Sequence, residues 1–175
     1  MPIQPLLDLD SLDLSQRLMD REAIARYLPH RGPIAMVDAL VWQDEVPNAA
    51  VAVAHIPEDV WWADGHIPGK PLMPGVLMIE AAAQLASLIY YMRSEKSWFA
   101  GFTRINDVTF RGHVLPGDDL YLICVGQKYN PKRFVTAVQG VVNGQLVFNG
   151  EIAGMAFPQL GENIERRPLS APSVG

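Results

Sequence analysis

The feature that most constrains the fold is a nearly uninterrupted apolar run, "VLMIEAAAQLASLIYYMR", at residues 76–93. Its length suits a helix and exceeds that of an ordinary strand. Pro74 and Gly75 precede the run as a helix start requires, and Arg93 falls in its last turn, where the helix dipole favours a cation. A helix that is apolar on almost every side must be buried, so the rest of the chain has to surround it.

Most of the segments after this helix have the β-branched and aromatic composition of strands. Four such runs are "WFAGFTRINDVTF", "DLYLICVGQKY", "RFVTAVQGVV" and "QLVFNGEIAGMAF". Asn143-Gly144, between the last two, is the strongest short hairpin signal. Two earlier runs, "IAMVDALVW" and "NAAVAVAHI", also predict strands. We therefore predict an α+β fold, in which an antiparallel sheet of about six strands wraps around the buried helix.

The remaining segments set the organisation of the chain. "DREAIARYL" predicts a short helix with Asp20 as its N-cap. "EDVWWADGHIPGKPLMPG" is too rich in glycine and proline for a regular element and is predicted to be an ordered loop. We divide the chain into an N-terminal extension at 1–20, a single domain at 21–157 and a polar, proline-rich tail at 158–175. The extension is expected to be an extended arm or a poorly ordered lead-in.

The charge and cysteine content exclude several classes of protein. The 175 residues carry a net charge of −5, which is not the basic footprint of a nucleic-acid binder. Cys124 is the only cysteine, so the chain cannot form an internal disulfide. The acidic N-terminus lacks the pattern of a signal peptide, and Glu80 and Gln84 interrupt the apolar run too early for a membrane span. We expect a soluble, cytoplasmic protein that does not bind membranes.

Four polar side chains on the long helix form one narrow line. Glu80, Gln84, Ser87 and Tyr91 fall within a wedge of roughly 60° at about 100° per residue. The line could be the solvent-facing edge of a partly covered helix, and the pattern alone leaves that reading open. Glu80 also has no lysine or arginine nearby in the sequence, and a buried carboxylate without a cation tends to hold its proton. A carboxylic acid that stays neutral can serve as a general acid.

Two residues just before this acid offer complementary chemistry. His66 lies in the glycine- and proline-rich loop, and its neutral imidazole can accept a proton at physiological pH. Its simpler role would be to tie down the loop through hydrogen bonds. Gly75, at the helix N-terminus, has no side chain to hinder a ligand carbonyl from reaching the free N–H groups. A base, an acid and an oxyanion site suit proton abstraction next to a carbonyl, followed by loss of a β-hydroxyl.

These residues lie within a longer resemblance to a known family. "GHIPGKPLMPGVLMIEAAAQ" resembles the signature of the β-hydroxyacyl-acyl carrier protein dehydratases, the FabZ/FabA type of fatty acid synthesis. "YLPHRGPIAMVD" resembles the family's Leu-Pro-His-Arg segment, and "INDVTFRGHVLPGDDLYL" resembles its strand that ends in Pro-Gly-Asp. The three blocks keep the family's order, and the resemblance spans roughly residues 21–157.

The resemblance implies a hotdog fold and a dehydratase that converts (3R)-3-hydroxyacyl thioesters of acyl carrier protein into trans-2-enoyl thioesters. His66 then corresponds to the base that removes the C2 proton, and Glu80 to the acid that protonates the departing hydroxyl. Gly75 corresponds to the glycine whose N–H binds the thioester carbonyl, and Gln84 to a glutamine that orients the site. His30, in the Leu-Pro-His-Arg segment, is assigned a structural role.

The resemblance also implies partners. It implies a homodimer whose site combines the histidine of one subunit with the acid of the other and, in many members, a trimer of dimers. It implies no metal or redox cofactor. The candidates for the acyl tunnel are Tyr91, Trp98, Phe99 and Phe102, although a core position is the commoner role for any one of them. The candidates for docking the acidic carrier are Lys70, Arg104, Arg111, Lys128, Lys132 and Arg133, any one of which is more commonly a solvated surface charge.

Several positions depart from the family's usual pattern. Gly32 and Ile67 stand where aromatic residues are common, and Trp61 and Trp62 stand where phenylalanines are frequent. These departures leave the acyl chain length and the pathway open, from fatty acid to polyketide or unusual lipid synthesis. Two rival functions remain. A hotdog acyl thioesterase would usually lack the histidine loop, and a non-catalytic acyl-carrier-binding protein would normally lose one of the two site residues.

Overall fold

The computed structural model describes residues 5–94 and 98–160, which form a seven-stranded antiparallel sheet around one long helix. The strands are β1 (Met19–Asp20), β2 (Ala39–Gln43), β3 (Ala49–His55), β4 (Phe99–Phe110), β5 (Asp119–Asn130), β6 (Arg133–Val142) and β7 (Gln145–Phe157). The helices are α1 (Arg21–Ile24) and α2 (Gly75–Arg93). The strand order is β1-β2-β3-β5-β6-β7-β4. The predicted α+β architecture is confirmed.

The long helix α2 is the centre of the core. Ala81, Ala82 and Leu85 on it are completely buried, and the helix packs against β3, β5, β6, β7 and β4. Its alanines add little bulk, which lets several strands approach the helix closely. α2 is long and apolar enough to cross a membrane, but 67% of its apolar window is buried within the protein. It is therefore a core helix that the sheet encloses, as its sequence predicted.

The sheet buries side chains on both of its faces. Along β5, Leu120, Leu122 and Cys124 belong to the cluster around α2, whereas Tyr121 and Ile123 belong to a second cluster on the outer face. This alternation is the two-residue period of a strand. A strand with apolar residues on both faces needs a cover on the side away from the helix.

The N-terminal arm, defined here as residues 5–14, provides that cover. Leu6, Leu9 and Leu12 pack against the outer cluster that contains Ile123. The backbone N–H of Leu6 donates to the side-chain oxygen of Gln139, a buried polar group of β6, over 2.8 Å. In its described part, from residue 5 onward, the extension lies as an arm against the sheet.

The short helix α1 is capped as predicted but ends early. The side chain of Asp20 accepts the N–H of Ala23 over 2.8 Å, as an N-cap does. The helix was predicted to continue to Leu28 but ends at Ile24. The carbonyls of Ala25 and Leu28 instead accept the guanidinium of Arg31 over 2.8 and 2.7 Å. Pro29 has no N–H to donate to the carbonyl of Ala25, so Arg31 satisfies carbonyls that the end of a helix leaves unpaired.

Two glycines on the hairpin strands make room for phenylalanine rings. Phe134 pairs directly with Gly154, and Gly140 pairs with Phe148. A Cβ on Gly154 would lie 2.0 Å from the Cζ of Phe134, and a Cβ on Gly140 would lie 2.2 Å from the Cε1 of Phe148. Each ring thus lies across the strand that carries its glycine. The Asn143-Gly144 turn that joins the strands has φ values of 49° and 73°, as the hairpin signal predicted.

Strand β4 lies at one edge of the sheet. Within the described chain this strand of 12 residues pairs only with β7, on one side. Phe102, Ile105 and Phe110 on this strand are 45%, 41% and 47% exposed. A long edge strand with exposed apolar side chains presents unpaired N–H and C=O groups, to which another strand can pair.

Candidate active site

Glu80 lies on the wall of a cavity of about 400 Å³ between α2 and the end of the sheet that carries β4. Gln84 and Ser87 line the same cavity, so three of the four residues in the predicted polar line face one open cavity. Phe99 and Phe102 line it from β4, and most of the remaining wall is apolar. This arrangement places one carboxylate at the side of an apolar chamber.

Two side chains, those of Gln84 and His30, contact the same oxygen of the Glu80 carboxylate. The Nε2 of Gln84 donates to Oε1 of Glu80 over 2.9 Å, and the Nε2 of His30 lies 3.3 Å from the same oxygen. Gln84 is 1% exposed. Its Nε2 also donates to the carbonyl of Ile34 over 2.7 Å, and its Oε1 accepts the N–H of Met36 over 3.0 Å. Because every polar atom of Gln84 is engaged, the direction of its amide is fixed.

These contacts determine the charge of the acid. The His30 imidazole is the largest cause that lowers the pKa of Glu80, burial raises it, and the hydrogen bond from Gln84 lowers it further. The net pKa of Glu80 is below its ordinary value, so the expectation of an acid that keeps its proton is wrong for the chain by itself. His30 belongs to a distant segment, and a search for nearby lysine or arginine along the sequence could not find it.

His66 is held by two hydrogen bonds to one residue of its own loop. Its Nδ1 lies 2.6 Å from the carbonyl oxygen of Leu72, and its own carbonyl accepts the N–H of Leu72 over 2.8 Å. A carbonyl oxygen can only accept, so in the neutral ring the proton sits on Nδ1 and Nε2 keeps its lone pair. The side chain is exposed. His66 therefore ties down the loop and still presents a basic nitrogen outward.

Gly75 is the first residue of α2, where N–H groups lack a carbonyl one turn earlier. The space beside its Cα is occupied: a Cβ there would lie 2.7 Å from ring atoms of Phe110. The sequence suggested that this glycine admits a ligand. In the structure the space that a side chain on Gly75 would occupy is filled by the ring of Phe110, and Phe110 itself is 47% exposed.

The two reactive groups are separate within one chain. His66 does not line the cavity of Glu80, and among residues 5–94 and 98–160 no hydrogen bond or ion pair joins the two side chains. One half of the candidate site consists of the His66 loop and the start of α2. The other half consists of Glu80 and its cavity.

The aromatic tunnel candidates divide into two pairs. Phe99 and Phe102 line the cavity of Glu80. Tyr91 is buried, and its hydroxyl accepts the N–H of Ala100 over 2.7 Å, which fixes the start of β4. Trp98 packs against the core cluster. Neither Tyr91 nor Trp98 lines the cavity. Of the four residues predicted to form the polar line, Tyr91 is therefore the one that does not face the cavity with Glu80.

The basic docking candidates also lie in different places. Arg104, Ala153, Val135 and Lys128 pair across four neighbouring strands and so share one face of the sheet. In the adjacent row Phe134 belongs to the core around α2, so Arg104 and Lys128 lie on the outer face. They line a separate groove of about 500 Å³, together with Arg133. A position at the mouth of the Glu80 cavity was expected for them and is not observed.

Two of the other basic candidates, Lys70 and Arg111, lie near the His66 half, and Lys132 does not. Lys70 is exposed on the His66 loop, where its N–H and carbonyl bond Ile67. Arg111 follows Phe110, and its Nε donates to the side chain of Asn149 over 2.8 Å. Lys132 is exposed in the turn between β5 and β6.

Nothing in the described part of the chain forms a metal centre. Within those residues no three histidine, cysteine or carboxylate side chains are grouped closely enough to hold an ion. Cys124 is completely buried, and burial raises the pKa of its thiol.

An antiparallel sheet that wraps around one long central helix is the hotdog fold. The chain belongs to the FabA-like family: the family model of the FabA-like domain matches residues 28–153. This match confirms the resemblance that the three sequence blocks suggested.

Solved structures share the fold at low sequence identity. A chain of the dehydratase heterocomplex ApeI:P from Xenorhabdus doucetiae is 14% identical, with a TM-score of 0.66, and the match covers 79% of this chain and 93% of that one. Cj0977, a sigma28-regulated virulence protein from Campylobacter jejuni, is 16% identical, with a TM-score of 0.57 and coverages of 78% and 88%. A hypothetical thioesterase protein with coenzyme A from Streptococcus pneumoniae TIGR4 is 8% identical, with a TM-score of 0.52 and coverages of 68% and 84%. Identities this low show the hotdog fold alone.

Proposed function

We propose that the protein is a dehydratase that removes water from 3-hydroxyacyl thioesters to give 2-enoyl thioesters, in fatty acid or related lipid or polyketide synthesis. The observation that carries the proposal is the tether between His66 and Leu72, because it leaves Nε2 of the imidazole as a base. Membership of the FabA-like family and the apolar cavity beside Glu80 support the same reaction.

The proposed reaction uses three groups. Nε2 of His66 takes the proton from C2, and the electron pair of that C–H bond forms the C2=C3 double bond. The C3–O bond breaks, and the hydroxyl leaves as water with a proton from Glu80. A backbone N–H at Gly75, where α2 begins, stabilises the negative charge on the thioester oxygen. Proton transfer from His66 to Glu80, directly or through water, restores the starting state.

The proposal requires the two halves of the site to come from two subunits. The free edge of β4 carries Phe99 and Phe102, which line the cavity of Glu80, so a second copy that pairs along β4 would also lie against that cavity. The exposed His66 is then available to the cavity of the partner. A covering partner would also remove water from Glu80, whose side chain is 22% exposed, and added burial raises the pKa of a carboxyl. This favours the protonated form that the reaction needs.

The thioester is proposed to arrive on acyl carrier protein, in the cytoplasm. Lys70 lies on the loop of His66, and Arg111 follows the phenylalanine that packs on Gly75, so these two cations suit a docking surface for an acidic carrier. Lys70→Glu should raise KM for carrier-linked substrate and leave KM for a small acyl thioester unchanged. Lys132→Glu, an exposed charge in the turn after β5, is the matched control.

A second candidate, hydrolysis of acyl thioesters, is favoured by one observation. The lowered pKa of Glu80, for which His30 is the largest cause, favours a carboxylate that could act as a base toward water. The two candidates differ in their products. A dehydratase gives a conjugated enoyl thioester, whereas a thioesterase gives a free acid and a thiol.

The deciding experiment supplies 3-hydroxyacyl thioesters of several chain lengths and follows both the enoyl absorbance and the release of thiol. Wild type should form the enoyl product, and His66→Ala and Glu80→Gln should each lose most of that activity while remaining folded. Release of thiol without enoyl product would support the thioesterase, and near-wild-type rates in both variants would refute the assignment of His66 and Glu80.

Mixing the two inactive variants tests the shared site. Random exchange of subunits gives heterodimers with one intact site, so about a quarter of wild-type activity should return. The matched control mixes His66→Ala with the double variant His66→Ala/Glu80→Gln, which can form no intact site. If the first mixture recovers no more activity than the control, although subunit exchange is verified, the two groups act within one chain.

A further inference from the structure

The surroundings of Glu80 are unequal at its two oxygens. Both contacts to the carboxylate end on Oε1: Nε2 of Gln84 at 2.9 Å and Nε2 of His30 at 3.3 Å. Among the described residues no donor contacts Oε2. An oxygen that already receives two donors is a poor place for a proton, so a proton that joins this carboxylate belongs on Oε2.

His30 is restricted to one form by its other nitrogen. Nδ1 of His30 is buried and has no hydrogen-bond partner in the part of the chain that the structure describes. A proton on Nδ1 would leave a buried N–H unsatisfied, which costs about 1–3 kcal/mol. The neutral ring with its proton on Nε2 leaves Nδ1 as an unpaired acceptor instead, and it puts the proton on the nitrogen that lies 3.3 Å from Oε1 of Glu80. A carboxylate oxygen can only accept, so this is the form that the contact favours.

Among the described residues no other charged group competes for this carboxylate. Of those that line the cavity, only Glu80 on α2 and His30 in the segment before β2 are titratable. Arg21 and Arg31 line a second cavity of about 370 Å³ on the far side of His30. Arg21 pairs with Asp38, and the guanidinium of Arg31 donates to backbone carbonyls, including that of His30. His30 is therefore the group that acts on Glu80.

We propose that His30 is a positioning residue that, with Gln84, fixes Oε1 of Glu80 and leaves Oε2 as the oxygen that carries a proton to the substrate. This inference rests on the proposed dehydratase function. It replaces the purely structural role that the Leu-Pro-His-Arg resemblance assigned to His30. The lowered pKa of Glu80 agrees with a donor at this position.

The first test needs no substrate, so it can fail separately from the proposed function. Side-chain carboxyl carbons are labelled with ¹³C, and the Glu80 signal is identified by its loss in Glu80→Gln. His30→Phe, which removes the donor, should move the titration of Glu80 to higher pH. His30→Gln, whose amide can still donate, should titrate closer to wild type. Equal titrations in wild type and His30→Phe would overturn the proposal.

The reciprocal measurement keeps the proposal testable if His30→Phe does not fold. Glu80→Gln replaces the carboxylate that lies 3.3 Å from Nε2 of His30, so the ¹H and ¹⁵N signals of this ring should shift relative to wild type at one fixed pH. Unchanged ring signals of His30 would contradict the contact.

The second test uses the reaction. His30→Phe should lower kcat by roughly tenfold or more with little change in KM, because the proton is no longer confined to Oε2. The alkaline limb of its pH profile should move to higher pH, and His30→Gln should restore part of both effects. A uniform loss of activity with the wild-type pH profile would show that His30 only supports the loop.

Discussion

The side-chain oxygen of Gln84 accepts the backbone N–H of Met36 over 3.0 Å, which joins α2 to the segment that leads into β2. Gln84→Leu has a similar volume but leaves that N–H and the carbonyl of Ile34 unpaired. We expect the free energy of unfolding to fall by about 2–4 kcal/mol, measured by denaturant unfolding. Gln127→Leu, at an exposed glutamine on β5, should change it by less than about 0.5 kcal/mol. Equal losses in both variants would contradict a structural role for the Gln84 amide.

The acid itself should make stability depend on pH. The pKa of Glu80 is lowered in the folded chain, so its carboxylate contributes stability above the ordinary value of 4.5. That contribution is lost as the pH falls through the folded-state pKa, which lies lower. The stability difference between wild type and Glu80→Gln should therefore shrink as the pH falls below the ordinary value. Unfolding curves over a pH series measure it, and a difference that stays constant or grows on acidification would show that the pKa is not lowered.

A single methyl group on β7 should disrupt the core. Gly154→Ala places a Cβ 2.0 Å from the ring of Phe134, which is buried and stacked on Tyr90 at 5.1 Å. We expect a loss of about 1–3 kcal/mol or more, seen as a lower midpoint of denaturation. Gly65→Ala is the matched control, because its nearest neighbour would be 4.0 Å away. If both variants unfold at the same midpoint, Phe134 has room to move.

The lone cysteine should report on unfolding. Cys124 is completely buried, its Sγ lies 3.7 Å from the carbonyl of Ala82, and burial raises the pKa of the thiol. The folded protein should not react with a thiol-specific reagent at mildly alkaline pH, and denaturant should expose one thiol per chain. Rapid labelling of the folded protein would mean that β5 opens locally.

The sequence predicted those structural features that depend on residues close together in the chain. The apolar run placed α2 correctly to within one residue at its start, and Asn143-Gly144 placed the last hairpin, since both signals are local. Asp20 was likewise recognisable as a cap from its own surroundings.

The parts that sequence reasoning missed depend on packing between distant segments. Nothing near Glu80 in the sequence indicates that His30 will lie 3.3 Å from it. The ring of Phe110 beside Gly75 and the hydroxyl of Tyr91 on Ala100 also arise only when β4 packs on α2. His30 had one usable signal, its place in the Leu-Pro-His-Arg segment, but that segment did not specify what the imidazole touches.

The arm of residues 5–14 has a practical consequence for the boundaries of the molecule. The family match begins at residue 28, yet the outer cluster around Ile123 is closed by leucines that precede that point. A recombinant fragment trimmed to the family match would lose this cover and the hydrogen bond from Leu6 to the Gln139 side chain. Such a fragment would expose an apolar patch and be prone to self-association. A fragment intended to stay monodisperse should therefore begin before the family match and include the arm.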